Sequence, residues 1–175
     1  MQTSPEFVSW DRRSRNRVMA AAIRRVKFAC GLMLFLWGGC AVAAEGLTTV
    51  ERHFGPKETL DRLEADVKAK GLTVFARIDH AAGAAAVGLT LLPTAVLIFG
   101  NARGGTPLMQ SSQLIGIELP LKVLVWQDTS GKTWLSYVDP ANLAKRYGLP
   151  AETATAVGNL TGVLRALTTK AASPD

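Results

Sequence analysis

Apolar and polar positions alternate with a period of two over Leu47-Thr48-Thr49-Val50-Glu51-Arg52-His53, which is rich in β-branched residues and predicts a first strand. Pro56 then opens a helix to about Lys70, because Leu60, Leu63 and Val67 recur at spacings of three and four and Gly71 stops the pattern. Leu72 to Ile78 reads as a second strand. Asp79 caps a soft Ala- and Gly-rich segment, His80 to Gly88, as a short helix or loop. Thr94-Ala95-Val96-Leu97-Ile98-Phe99 is continuously apolar, the mark of a strand buried on both faces. The run breaks at Gly100-Asn101-Ala102-Arg103-Gly104-Gly105. A helix is expected from near Thr106-Pro107 to Leu114, with Thr106 as N-cap and Pro107 at the first helical position. Leu121–Trp126 and Thr133–Val138 flank Asp128-Thr129-Ser130-Gly131-Lys132 and form an antiparallel hairpin. Two helices close the chain, over Asp139–Tyr147 and from about Ala151 to Lys170, the second carrying Val157, Leu160, Leu164 and Leu167. The sum is a two-layer α/β (α+β-like) domain: a mixed sheet of about five strands with helices mainly on one face.

Charge divides the chain. Of 20 Lys+Arg and 14 Asp+Glu, seven and two lie in Met1–Ala44, leaving thirteen against twelve in the other 131 residues. Basicity confined to one end argues against nucleic acid as a partner, since a binding domain needs its cations on the folded surface. Arg24, Arg25 and Lys27 precede the uncharged run Phe28–Ala44, which ends in small residues. That order is a secretory signal peptide, cleaved after Ala44 or Ala43, and it predicts a periplasmic or secreted protein. Met19 as the true start gives a leader of conventional length. Membrane contact is expected only through this leader, either as an uncleaved anchor or through lipidation at Cys40, which ends Leu36-Trp37-Gly38-Gly39-Cys40. Both cysteines, Cys30 and Cys40, lie there, so a cleaved chain keeps no thiol for a disulfide, a nucleophile or a metal. The body, 45–170, is expected to be one domain, and 171–175 a disordered tail.

Five segments in order are similar to the domain of unknown function 302 family. They are Phe75–Ala84, Phe99-Gly100-Asn101, Gly104–Gln110, Glu118–Trp126 and Trp134–Pro140, and the likeness runs over about Val50–Leu167. The resemblance implies a compact two-layer fold, often exported, that forms dimers, and it implies no established activity. Ala102, Glu118 and Val138 depart from the family's usual Pro, Asp and Asn, so a polar site that relatives build from the Asn at 101, the Asp at 118 and the Asn at 138 has two of its three members altered here.

The residues themselves offer a few chemistries. Gly100–Thr106 lies between a strand and a helix start, where free amides and the helix dipole favour an anion; the plainer reading is a tight turn. Gly100 and Gly105 have phosphate-loop spacing, but Thr106 stands where that loop needs Lys and Pro107 where it needs Ser or Thr, which argues against nucleoside triphosphate hydrolysis. His80 is one of two histidines, and as a general base it needs Asp79, Glu118 or Asp139 to fix its tautomer. No metal set, cofactor motif, nucleophile elbow or His-Glu-x-x-His occurs, so no metal and no cofactor are expected. Phe99, Trp126, Trp134 and Tyr137 either fill the core or wall an apolar pocket beneath His80, Asn101 and Glu118. The candidate ligand residues are therefore His80, Asn101, Gly104, Gly105, Thr106, Glu118, Tyr137 and Asp139. The first functional expectation is an exported small-ligand-binding or stress-related accessory protein. The alternatives are a small enzyme with His80 as base, assisted by Asn101 and the Gly104 and Gly105 amides as oxyanion hole, and a homodimeric interaction module joined through a sheet edge.

Overall fold

The computed structural model describes residues 46–170; the leader, Met19, both cysteines and the tail lie outside it. Its elements are β1 (Leu47–Arg52), α1 (Pro56–Ala69), β2 (Thr73–Asp79), α2 (His80–Ala86), β3 (Thr94–Gly100), α3 (Ala102–Ser111), a 3-10 turn (Gln113–Ile117), β4 (Leu121–Gln127), β5 (Thr133–Val138), α4 (Pro140–Arg146), a second 3-10 turn (Ala151–Thr153) and α5 (Ala154–Lys170). The strands form one open sheet in the order β1-β5-β4-β3-β2. Class, layering and strand number follow the sequence pattern, but the sheet is antiparallel at every pairing rather than mixed. The strand–helix–strand run that suggested parallel pairing joins β1 and β2, which run the same way at opposite edges. Helix α1 thus carries the chain across the whole sheet.

Burial is one-sided. Leu60, Leu63 and Val67 of α1 and Leu164 and Leu167 of α5 close on Leu97, Phe99, Leu121, Val123, Val125, Leu135 and Tyr137, which alternate along β3, β4 and β5 and so share a face. A smaller cluster of Leu108, Ile115, Leu143 and Val157 fastens α3 and α4 to α5. The expectation that β3 is buried on both faces holds on one only. Leu97 and Phe99 are fully buried, whereas Val96 and Ile98 are half-buried and belong to neither cluster. Arg77 on β2 donates to Asp61 at 2.6 Å and Glu64 at 3.3 Å, tying the edge strand to α1. Arg52 is buried at the C-terminal end of α5, where it donates to the Thr168 carbonyl; burial pushes its pKa down. That contact suits the negative end of the helix dipole.

The hairpin loop is organised by one carboxylate. Asp128 Oδ1 accepts from the Ser130 N–H at 2.9 Å, the Ser130 hydroxyl at 2.7 Å and the Lys132 N–H at 3.0 Å, while Oδ2 accepts from Trp134 Nε1 at 2.8 Å. Gly131 completes the turn at φ 82, a left-handed value that favours glycine. The Ser130 hydroxyl, then Trp134, hold the Asp128 carboxyl down to about 2.

Two outcomes follow from this packing. Phe99→Ala, which empties a fully buried ring site, is expected to cost about 3–5 kcal/mol in urea denaturation. Because Asp128's pKa is depressed on folding, its contribution is full above the unfolded value and is lost as the pH falls through about 2. The stability gap between the natural chain and Asp128→Asn is therefore widest above about pH 4 and closes toward pH 2, read as urea midpoints across that range.

Candidate functional site

The break after β3 is a helix cap. Asn101, in extended backbone, accepts the Gly104 N–H on Oδ1 at 2.8 Å, and the Gly105 N–H reaches the Asn101 carbonyl at 3.3 Å. Helix α3 therefore starts at Ala102, not near Thr106. Thr106 is an exposed residue inside the helix, and Pro107 lies within it. The competing physics is straightforward: Asn is among the best N-caps, and the two glycines are kept by packing rather than by turn geometry. A Cβ on Gly104 would stand 3.0 Å from Leu160 Cδ2 and 3.2 Å from Asn101 Oδ1, and one on Gly105 3.4 Å from Leu119 Cδ1. Helix α3 is thereby seated against α5 and the segment entering β4.

The cap changes what this loop can do. An anion site or oxyanion hole needs the Gly104 and Gly105 amides free, and both already donate to Asn101. His80, the base in that reading, is also elsewhere. Asp79 pairs with Ala95 and Thr73 with Gly100, so His80 and Asn101 stand at opposite ends of β3, about 20 Å apart at roughly 3.4 Å per residue. His80 is the exposed first residue of α2, whose cap is Asp79 accepting the Ala82 N–H at 2.9 Å.

The remaining candidates are also engaged separately. Glu118 accepts from Arg146 at 3.1 Å and the Tyr147 hydroxyl at 3.2 Å; desolvation and that hydrogen bond raise the Tyr147 pKa. Asp139 caps α4, accepting the Ala141 N–H at 2.9 Å and the Thr161 hydroxyl at 3.3 Å. Tyr137 and Phe99 lie in the helix-side core, while Trp126 and Trp134 lie on the opposite face, so the four cannot wall one pocket. Among the described residues, no three His, Cys, Asp or Glu side chains gather as a metal site.

What the fold does build is a hollow of about 270 Å³ at the Asn101 end of the sheet, between Phe75, Gly100, Met109, Leu119 and Leu160. Asn101 is the polar side chain on its border. With Oδ1 taken by the cap, its Nδ2 has no partner among the described residues. A register shift between Val74 and Ala76 re-aims Phe75, which is 57% exposed and whose ring would lie 4.0 Å from a Cβ on Gly100. A second hollow, about 220 Å³, shares Gly100, Asn101, Leu121 and Leu160 and adds Arg103 and Asn159. A wider depression of about 540 Å³ between α4 and α5 is lined by small and apolar residues with two threonines, and Arg165 is its charged group, so it lacks converging polar groups. Phe75, Met109, Leu119 and Leu160 were not among the sequence candidates. Leu160 carried only a core signal, its helical spacing with Val157 and Leu164, and Phe75 and Met109 acquire their place through the bulge and the start of α3.

Comparison with known proteins fits this architecture. The profile of the family described as "Domain of unknown function DUF302" matches residues 48–167. The chain is 48% identical over 109 residues, 62% of its length, to proteins named fluoride-specific ion channel FluC 1 in Brucella suis biovar 1 (strain 1330) and Brucella abortus biovar 1 (strain 9-941). That stretch is 43% and 40% of those proteins, so the chain spans about two-fifths of the length of the curated relatives it matches. The crystal structure of an uncharacterized conserved protein of the family from Bacillus stearothermophilus superposes with a TM-score of 0.65 at 24% identity, covering 74% of this chain and 100% of that one, which shows a shared fold. With a match through nearly all of the described residues, the chain belongs to the domain of unknown function 302 family.

Proposed function

We propose that this protein is an exported accessory domain that binds a small ligand at the Asn101 end of the sheet without turning it over. The observation that carries the reading is the hollow of about 270 Å³, apolar on its walls and bordered by an Asn whose Nδ2 is left to donate. Few polar anchors in a mainly apolar concavity is how small-molecule sites are commonly built. The neighbouring hollow adds Arg103 and Asn159, so the ligand class that fits is an apolar body with a hydrogen-bond-accepting or anionic head. Turnover finds no support in the geometry, since the base and the amides it needs are about 20 Å apart and the amides are occupied. The charged, apolar, small-residue order of the leader supports export. The channel-named relatives, in which the matching stretch is about two-fifths of the length, support an accessory role beside a membrane protein. Conduction itself is not part of the proposal: no helix among the described residues is long and apolar enough to cross a membrane.

Native mass spectrometry of the protein recovered from the bacterial periplasm tests this. Added mass that vanishes on denaturation is expected in the natural chain and in His80→Ala, and it should fall at least about tenfold in Met109→Trp, which fills the hollow. A bare mass in the natural chain, or substrate turnover abolished by His80→Ala, would sink the reading. The same spectrum gives the mature N-terminus and so decides between cleavage at Ala43 or Ala44 and lipidation at Cys40.

Asn101 supplies a separate check. Asn101→Ala is expected to lose the α3 cap at a cost of about 1 kcal/mol and to weaken ligand retention, whereas Asn101→Asp should restore the cap but not the Nδ2 donor. Urea midpoints beside retained mass separate the two effects.

A further inference from the structure

We propose that the Asn101 end of the sheet is a docking face for an anionic lipid bilayer, whether or not the hollow there holds a ligand. In a 3-10 helix, residues three apart stand on one side. In the turn Gln113–Ile117 these are Leu114 and Ile117, 77% and 79% exposed, while Ile115 between them is fully buried and holds the turn to the domain. They are the most exposed large apolar side chains among the described residues. Phe75 stands across the hollow from them. Met109 lines that hollow with Phe75, and its Sδ would lie 3.4 Å from a Cβ on Gly116 in the turn. Single exposed apolar residues are ordinary, but a cluster with a charged margin marks a protein or membrane contact.

The margin is cationic. Lys122 Nζ donates to the Glu118 carbonyl at 2.9 Å and to the Ile117 carbonyl at 3.5 Å, which sets it beside the turn. Arg103 and Leu72 line the second hollow, and Lys70 caps the end of α1 two residues before Leu72. All three cations are exposed, and no carboxylate pairs with them among the described residues. Glu118, the acid nearest the turn, is held by Arg146 at 3.1 Å. The opposite end of the sheet differs. Val87 and Leu89, 71% and 66% exposed, follow Asp79 there, but Lys57 and Arg77 are both held by Asp61 and Lys132 by Glu51. Apolar tips and unpaired cations therefore coincide at the Asn101 end.

Connectivity points to a bilayer as the occupant. The uncharged run 28–44 ends two residues before Gly46, and Gly46 lies at this end of the sheet. Its carbonyl accepts the Asp139 N–H at 3.4 Å, and a Cβ on it would stand 3.8 Å from Arg146, the partner of Glu118. A tether formed by that run or at Cys40 thus pulls on the end that carries Leu114 and Ile117. A standard protein interface takes about 800 Å² of matched surface from each partner. A bilayer asks only for apolar points that enter the acyl boundary and cations whose stems reach back to the headgroups. Each Lys or Arg at an anionic surface strengthens partition about fivefold, so Lys70, Arg103 and Lys122 together supply about a hundredfold.

The test is hydrogen–deuterium exchange of the full chain with vesicles of phosphatidylcholine, alone or with about 30% phosphatidylglycerol. Exchange is read peptide by peptide, so binding through 28–44 alone leaves the domain unprotected. Exchange over 112–119 and 73–76 is expected to slow on the anionic vesicles at about 0.1 M salt and to recover at about 1 M, where charge is screened within about 3 Å. Leu114→Ser with Ile117→Ser should abolish the slowing, whereas Val87→Ser with Leu89→Ser, at the other end, should leave it intact. Lys70→Gln with Lys122→Gln should weaken the lipid titration about 25-fold, with the far-ultraviolet circular dichroism unchanged. A domain that stays unprotected on anionic vesicles would overturn the proposal, as would protection indifferent to the Leu114 and Ile117 substitutions. Protection over 112–119 that grows with protein concentration in the absence of lipid would assign the face to a protein contact and overturn it too.

Discussion

Everything in this domain depends on closing one apolar sheet face with two helices that are far apart in sequence. Helix α1 crosses from the β1 edge to the β2 edge and places Leu60, Leu63 and Val67 over the strand centre, and α5 returns at the end of the chain to place Leu164 and Leu167 beside them. An α-helix with one apolar stripe cannot bury that stripe alone, and neither can the sheet, so each is folded by the other. The smaller helices are secondary to this: α3 and α4 fasten to α5 through a separate, smaller cluster.

The strand end at Asn101 shows how local satisfaction decides chemistry. A glycine-rich turn after a buried strand presents amides that in principle can hold an anion. Here the cap side chain and its own carbonyl take the two amides that matter, and Leu160 occupies the space over Gly104. The concavity at this end of the sheet lies instead beside the helix start, where the walls are mainly apolar and Asn101 stands on the border. The glycines are thus explained by the close approach of α3 to α5, which no local pattern announces.

How far the sequence can be read varies with the range of the interaction. The first helix, the hairpin and every strand appear within one or two residues of their predicted limits, because period, Pro, Gly and turn residues act over a few positions. The start of α3 is displaced because two local signals compete there, Asn101 as cap against Thr106-Pro107, and Asn101 with its packed glycines wins. His80 and Glu118 are recognisable as polar residues near strand or helix ends, yet which end of the sheet each occupies depends on strand direction and order.

The sequence by itself determined the elements, the two-layer class, the family and the apolar character of β3 on both its faces, since these rest on residue type and spacing. Only the tertiary structure decided that the sheet is antiparallel throughout, that the candidate polar residues stand apart, and that the first and last helices close on the same sheet face. The reason is physical: side-chain periodicity fixes which face a residue takes within its own strand, whereas strand order and the path of α1 are fixed by the summed burial of residues more than a hundred positions apart, as between Leu60 and Leu167.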